Sequence, residues 1–393
     1  YDDATICQRI ADLRAFDTIR YAQKANSNLA ILDRMRREGV LVDAVSAGEI
    51  HRALRAGYAP HGDPPPIVYT ADIFDRTSLQ MCVDLGLHIN VGSPDMIDQV
   101  GQLAPGSNLT FRVNPGFGHG HSRKTNTGGE QSKHGIWHAQ IEDCLRRVDR
   151  HGLSVTGLHM HIGSGTDLEH LSQVCGALEQ IAYAVGRTIT SISAGGGLPI
   201  PYRQGEPRVD LDRYFTLWDA TRQRLAQRFG HPVHLEIEPG RYLVAESGYL
   251  ITEIRAIKQM GQNEFYLVDS GFNNLARPIL YGAYHPMSIS PASGWSGTSS
   301  LVEVVVGGPL CESGDIFTQE EGGYVSTRTL PRAAVGDFLV IECAGAYGFV
   351  MSSNYNSKPL SAEVLVRDGR PHLVRARQSL EQLTVGETIP EVG

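Results

Sequence analysis

The 393-residue chain contains no apolar run of about 18 residues, the length a helical membrane span needs. No CxxC pair occurs among its cysteines at positions 7, 82, 144, 175, 311 and 343. Their dispersal argues against a zinc site or a disulfide framework and for a reducing compartment. Positive charge is in deficit, with 35 Lys and Arg against 43 Asp and Glu and a formal net charge of −8, which disfavours nucleic acid as the main partner. The opening residues, YDDATICQRIADLRAFD, lack the basic segment and apolar run of a secretory signal, so a cytoplasmic location is expected. What is present is a globular composition, 41% hydrophobic and 20% charged with 43 glycines, long enough for two cores.

Eight strand-like segments recur through the first part of the chain: 18–24, 41–46, 66–70, 87–91, 109–114, 155–162, 190–194 and 233–238. Helical patterns lie between most of them, at 27–38, 46–56, 75–84, 93–103, 137–150, 167–186 and 210–229. Such alternation marks parallel βα units, and eight of them fit a closed (β/α)8 TIM-like barrel over residues 1–244. An open Rossmann sheet is the rival, weakened by the lack of an early GxGxxG. Residues 245–393 read differently. Segments 247–258, 264–269, 302–307, 338–343, 348–352 and 361–366 are strand-like with glycine-rich turns, predicting a mainly antiparallel β-domain, with 285–300 as a turn-rich loop.

Chemistry in such barrels gathers at the carboxyl ends of the strands, and polar residues fall there. Lys24 ends the first strand, Asp43 and Ser46 the second, Arg112 and Asn114 the fifth. An amine at that mouth can form an imine with an aldehyde cofactor. His159 and His161 share one face of the sixth strand and precede Gly163-Ser164-Gly165. A metal pair is conceivable, but no third ligand has suitable spacing, so no metal is expected. His161 is read as a ring-stacking group and His159 as a packed or hydrogen-bonded neighbour.

Gly195, Gly196 and Gly197 end the seventh strand and can form either a flexible turn or a backbone nest for phosphate, with Ser164 adding a hydroxyl. The eighth strand ends in Glu238-Pro-Gly240-Arg241. A carboxylate facing the mouth needs a cationic or protonated partner, and a pyridinium nitrogen is one. Glu236 shares its face but lies deeper. Arg241 offers a fixed cation for phosphate or a carboxylate. In the β-domain, Cys311 and Glu312 lie in a turn, Cys311 as a proton donor or a plain turn cysteine. Arg277 and Tyr281 pair a carboxylate binder with a phenol at helical or turn spacing, and Tyr347 follows Gly345-Ala346.

YAQKAN (21–26), NPGFGHGHSRKTNTGGEQSKHGI (114–136), HMHIGSG (159–165), GGG (195–197), EPGR (238–241), ARPILYGAYH (276–285), CESGD (311–315) and AGAYGFVMSSNYNSKP (344–359) together resemble the alanine racemase-like, fold-type III group of pyridoxal phosphate decarboxylases. Segment 114–136 is more similar to their diaminopimelate branch than to their ornithine branch. The resemblance implies a barrel and β-domain working as a homodimer with shared active sites and pyridoxal 5′-phosphate as cofactor. The small-molecule substrate would be meso-2,6-diaminopimelate, cleaved to L-lysine and CO2 in the last step of lysine biosynthesis. Lys24 would carry the cofactor, His161 stack on its ring and Glu238 meet its nitrogen.

The resemblance further implies that Ser164, Gly197 and Tyr347 hold phosphate beside Arg241. Cys311 and Glu312 would come from the other subunit, and Arg277, Tyr281 and Glu312 would receive the distal end of the substrate. Lys358-Pro-Leu360 departs from the arginine-rich text of many relatives. Decarboxylases of ornithine, arginine, carboxynorspermidine or carrier-bound amino acids share most of these motifs. A racemase would need an opposed lysine and tyrosine. A non-catalytic cofactor-binding protein has little use for Arg277 and Cys311.

Overall fold

The computed structural model describes residues 1–117, 128–161, 167–186, 188–294 and 300–391, to which the statements below apply. The chain forms two compact units, one made of Cys7–Ile200 and Pro207–Leu243, the other of Tyr1–Ile6, Pro201–Glu206 and Val244–Gly393.

In the first unit, β1 (Thr18–Ala22), β2 (Leu41–Ala44), β3 (Ile67–Ala71), β4 (His88–Val91), β5 (Asn108–Asn114), β6 (Ile136–Trp137), β7 (Ser154–His159), β8 (Ser191–Ser193) and β9 (His234–Ile237) form one parallel sheet. Its order is β4-β3-β2-β1-β9-β8-β7-β5, and β4 also pairs with β5, so the sheet closes on itself. The two-residue β6 attaches to β5 alone, leaving an eight-stranded barrel among the described residues. After α1 (Asp3–Ala11), helices α2 (Leu29–Arg37), α3 (Ala47–Arg55), α4 (Arg76–Asp84), α5 (Pro94–Leu103), α6 (Ile141–His151), α7 (Leu168–Val185) and α8 (Leu211–Phe229) lie in the connections between strands, and α9 (Arg241–Val244) follows β9.

Short polar residues start many of these helices by accepting backbone N–H groups that the first turn leaves unpaired. Asn28 accepts from Ala30 at 2.9 Å, Ser46 from Glu49 at 3.2 Å and Asp75 from Ser78 at 2.7 Å. Ser46, placed near the mouth by its sequence position, thus caps α3.

The barrel strands alternate. Ile19 and Tyr21, Val42 and Ala44, Ile89 and Val91, and Leu235 and Ile237 are buried apolar residues. The intervening side chains are polar and bond to one another between strands. Thr18 Oγ1 lies 2.7 Å from His234 Nε2, His88 Nε2 lies 2.8 Å from Thr110 Oγ1, and Asn90 Nδ2 donates to Thr70 Oγ1 at 2.7 Å. Arg20, only 1% exposed, donates to both Glu236 oxygens, at 2.9 and 3.1 Å, and to the Pro65 carbonyl at 2.6 Å. Pairing of this kind is what lets charges stay buried. It also occupies the deeper carboxylate, Glu236, with a partner of its own.

In the second unit, β10 (Leu250–Met260), β11 (Asn263–Val268), β12 (Met287–Ser290), β13 (Leu301–Gly307), β14 (Arg328–Pro331) and β15 (Phe338–Ile341) form a sheet ordered β12-β15-β10-β11-β13-β14. It is antiparallel except between β11 and β13. Its core gathers Ile254, Tyr266, Val304, Val306, Leu339 and Ile341. A hairpin of β16 (Glu363–Arg367) and β17 (Arg370–Arg375) stands apart from that sheet.

Two expectations are corrected here. Residues 285–300, read as a loop, contain β12, which pairs with β15 from Met287 to Ser290. Residues 348–352, read as a strand, instead hold a short 3-10 turn, Phe349–Met351. The backbone just before it explains why. Tyr347 has φ 57°, and any Cβ on Gly345 would collide with the Val244 carbonyl. Neither position continues an extended ladder.

Candidate active site

At the carboxyl ends of the barrel strands, Lys24 sits in a short turn, Gln23–Ala25, directly after β1, with an exposed side chain. This turn is fastened to the one after β9. The Ala22 amide donates to the Pro239 carbonyl at 3.1 Å, and a Cβ on Gly240 would sit 3.2 Å from both Ala22 O and Ala25 Cβ. Glycine at 240 therefore lets the Glu238 and Lys24 segments approach closely.

Glu238 is buried and held by two donors. His159 Nε2 lies 2.6 Å from one of its oxygens, and Ser193 Oγ donates to the other at 3.0 Å. Burial pushes its carboxyl up, but His159, Arg20 and Ser193 outweigh burial and bring it down to about 2. Glu238 is therefore ionised at neutral pH. His159, expected to be a hydrogen-bonded neighbour, is the group that fixes this carboxylate.

Asp43, on β2, is the opposite case. Burial first, and then the charge of Glu238, push its carboxyl well above the ordinary aspartate range against the pull of Thr70 and Lys24. Its Oδ1 is buried with no hydrogen-bond partner among the described residues. Two neighbouring acids do not both ionise easily, and Glu238 holds the charge.

An acid raised by folding costs stability as pH climbs from its ordinary value through the raised one, because the unfolded chain ionises freely there. Asp43→Asn is therefore expected to stabilise the cofactor-free protein by about 1–3 kcal/mol at neutral pH and by little below the ordinary aspartate range, near pH 4. Thermal melts of both proteins across pH check this, and an equal gain at all pH values would contradict it.

His161 is half-buried, and its Nδ1 accepts the Gly196 amide at 2.8 Å. An accepting Nδ1 requires a ring that is not doubly protonated. Burial, Arg112 and Lys24 depress its proton affinity in the same direction. Gly195 and Gly197 have φ of 63° and 96°, and a Cβ on Gly195 would lie 2.7 Å from His161 Cβ. The three glycines thus let the backbone turn tightly over the histidine. Arg241, half-buried, begins α9. Ser164 lies outside the described residues.

Other mouth residues were not singled out from the sequence. Glu49 accepts the Val45 amide at 2.8 Å and is raised mainly by burial, with Lys24 pulling the other way. Ser46-x-x-Glu49 reads from sequence as a helix start, which hid it. Asp72 bonds His134 Nδ1 at 2.5 Å and accepts the Gly135 amide at 2.8 Å. Asn114, which was singled out, accepts the Gly116 and Gly129 amides at 3.1 and 2.9 Å and donates to the His134 carbonyl at 3.1 Å. These contacts join β3 and β5 to the segment before β6 through residues distant in sequence.

The second unit holds the remaining candidates. Arg277 and Tyr281 lie on α10 (Arg277–Tyr281), Arg277 buried and Tyr281 half-buried. Cys311 and Glu312 are both exposed on the loop after β13. That loop is anchored by Asp315, whose carboxylate accepts the Phe272 and Leu310 amides at 2.7 and 2.8 Å. The Cys311 amide donates to Asn356 Oδ1 at 2.7 Å. A Cβ on Gly314 would sit 2.8 Å from Ile279 Cδ1, so the loop packs on α10. Tyr347 is half-buried.

The profile of the pyridoxal-dependent decarboxylase pyridoxal-binding domain matches residues 5–245. The chain belongs to the pyridoxal-dependent decarboxylases. Among known proteins, it is 57% identical to the diaminopimelate decarboxylase of Streptomyces coelicolor over 99% of this chain and 89% of that one. It is 55% identical to the diaminopimelate decarboxylase of Escherichia coli K12, over 99% and 93%. A crystal structure of a diaminopimelate decarboxylase superposes with a TM-score of 0.95 at 55% identity, covering 98% of this chain and 92% of that one. The Helicobacter pylori diaminopimelate decarboxylase complexed with L-lysine gives 0.87 at 30%, covering 98% and 95%.

The mouth residues fit the cofactor of the pyridoxal-dependent decarboxylases, pyridoxal 5′-phosphate. An amine for its aldehyde, an ionised buried carboxylate for its ring nitrogen and a side-chain-free backbone for its phosphate occur together on one set of strand ends. The Asp43 oxygen without a partner among the described residues leaves a polar atom to exchange a hydrogen bond with such a group.

Proposed function

We infer that this protein decarboxylates meso-2,6-diaminopimelate with pyridoxal 5′-phosphate, giving L-lysine and CO2. The observation that carries the reading is that Lys24 and an ionised Glu238 follow neighbouring barrel strands in a chain 57% identical to a diaminopimelate decarboxylase.

When bound, the cofactor supplies a sink for the electrons left as the carboxylate departs. Lys24 would hold it through its amine, and Glu238 would accept a hydrogen bond from its ring N–H and balance the positive charge there. His161, kept neutral by the Gly196 amide, would lie against the ring without repelling it. Gly195, Gly196, Gly197 and Gly240 would present backbone to the phosphate, with Ser164, Arg241 and Tyr347 adding side chains. Asp43, with its raised proton affinity, would exchange a hydrogen bond with the cofactor.

Cys311 Sγ would give the proton that replaces the lost carboxylate at Cα. Arg277 and Glu312 would receive the distal carboxylate and ammonium, with Tyr281 beside them. A homodimer with shared sites belongs to this reading, since Cys311 and Glu312 stand exposed on one loop. A cytoplasmic location agrees with it too, and among the described residues no helix is long and apolar enough to cross a membrane.

Ornithine decarboxylation fits less well, because a distal ammonium would meet the Arg277 guanidinium. The test is CO2 release across substrates. Stoichiometric release from meso-diaminopimelate with L-lysine accumulating is expected, with L-ornithine and L-lysine at least about a hundredfold slower. Comparable turnover of either contradicts the specificity.

A further inference from the structure

We propose that His285 is a positioning residue whose neutral ring aims the Arg277 guanidinium at the distal carboxylate of the substrate; this rests on the reading of Arg277 given above.

His285 lies two residues before β12 and is completely buried, 0% exposed. Its two ring nitrogens have chemically opposite neighbours. Nε2 is 2.8 Å from Arg277 Nη1, and Nδ1 is 2.9 Å from the carbonyl oxygen of Glu342. A guanidinium has only N–H donors, and a carbonyl oxygen can only accept. Nε2 must therefore carry the lone pair and Nδ1 the hydrogen. The other tautomer would set an N–H against an N–H and a lone pair against an oxygen. The two neighbours thus define one protonation state of a buried imidazole.

The choice of a histidine here has a consequence for charge. A buried arginine is most often matched with a carboxylate, which orients it and also cancels its charge. A neutral imidazole accepts one N–H and orients the guanidinium plane without adding a negative charge of its own beside it. Tyr202 completes the clamp. The Arg277 guanidinium carbon lies 4.8 Å from the centre of its ring, and the same ring meets His285 edge-on at 5.5 Å. All these residues belong to one unit, so the arrangement is internal to it.

The experiment compares R277A, H285F and H285Q using the holoenzyme. It reads KM and kcat for meso-diaminopimelate and inhibition by L-lysine, which keeps the distal carboxylate, and by 1,5-diaminopentane, which has none. H285F should raise KM and the L-lysine inhibition constant by about 10- to 100-fold, with kcat within about threefold and 1,5-diaminopentane inhibition unchanged. H285Q can accept from Arg277 and donate to the Glu342 carbonyl, and should restore KM to within about threefold of the native value.

Should H285F fail to fold, His285→Asn, polar but too short to span both partners, is read in its place. An unchanged KM, or parallel weakening of both inhibitors, would overturn the proposal for His285. If R277A itself leaves KM and L-lysine inhibition unchanged, the reading of Arg277 fails instead.

Discussion

Lys24→Ala is expected to lower turnover of meso-diaminopimelate by at least about three orders of magnitude while leaving the fold intact. The expectation follows from where the lysine stands. Among the described residues, its turn is held by neighbours and not by its own amine. Gln23 and Ala25 are fully buried, and the Tyr21 hydroxyl donates to the Asn26 carbonyl at 2.8 Å. The exposed Lys24 side chain contributes little to that packing, and surface truncations of this kind usually stay within about 0.5 kcal/mol. Its charge does act on Asp43, Glu49 and His161, so its loss removes an amine that acts on the mouth acids. Steady-state kinetics with a thermal melt separate the two effects. Near-normal turnover, or a collapsed melt, would contradict the assignment.

Glu238→Gln is expected to lower kcat by about a hundredfold to a thousandfold, the equivalent of about 2.7–4 kcal/mol of charge stabilisation. The amide keeps the shape of the carboxylate and can still accept from His159 or Ser193. It cannot balance a positive ring nitrogen, and that is where the loss arises. The substitution also leaves a mark on stability. Glu238 is lowered from 4.5 to about 2 in the folded protein, so its ionised form stabilises the fold above about pH 4.5. That contribution fades as pH falls through 2. The variant should therefore show a flatter acid limb in melts of the cofactor-free protein, as well as weaker cofactor binding. An E238Q protein with native kcat and an unchanged acid limb would remove Glu238 from its role.

Much of this was legible because the signals are local. Lys24 and Glu238 each end a strand, and strand ends are marked by the return of polar residues. The preference for Glu238 over Glu236 rested only on depth, and the reason lies in Arg20, whose guanidinium takes both Glu236 oxygens. No sequence pattern links positions 20 and 236. They meet because β1 and β9 are neighbours where the barrel closes.

His159 was equally hard to place, because its partner Glu238 is 79 residues away. The pairing of Asp72 with His134 and of Arg277 with His285 had no local mark either. The β17 strand was missed although Asp368-Gly369, both at positive φ, form the two-residue turn that such hairpins favour. The apolar run at 348–352 misled because its composition suits a strand, while the backbone crowding at Gly345 comes from Val244, far away in sequence.

The central claim is that the cofactor joins the chain at one amine. Borohydride reduction of the holoenzyme followed by peptide mass analysis tests it most directly. The pyridoxyl mass should be found on the peptide carrying Lys24 and nowhere else; a label on another lysine, or a holoenzyme that takes none, would contradict the account.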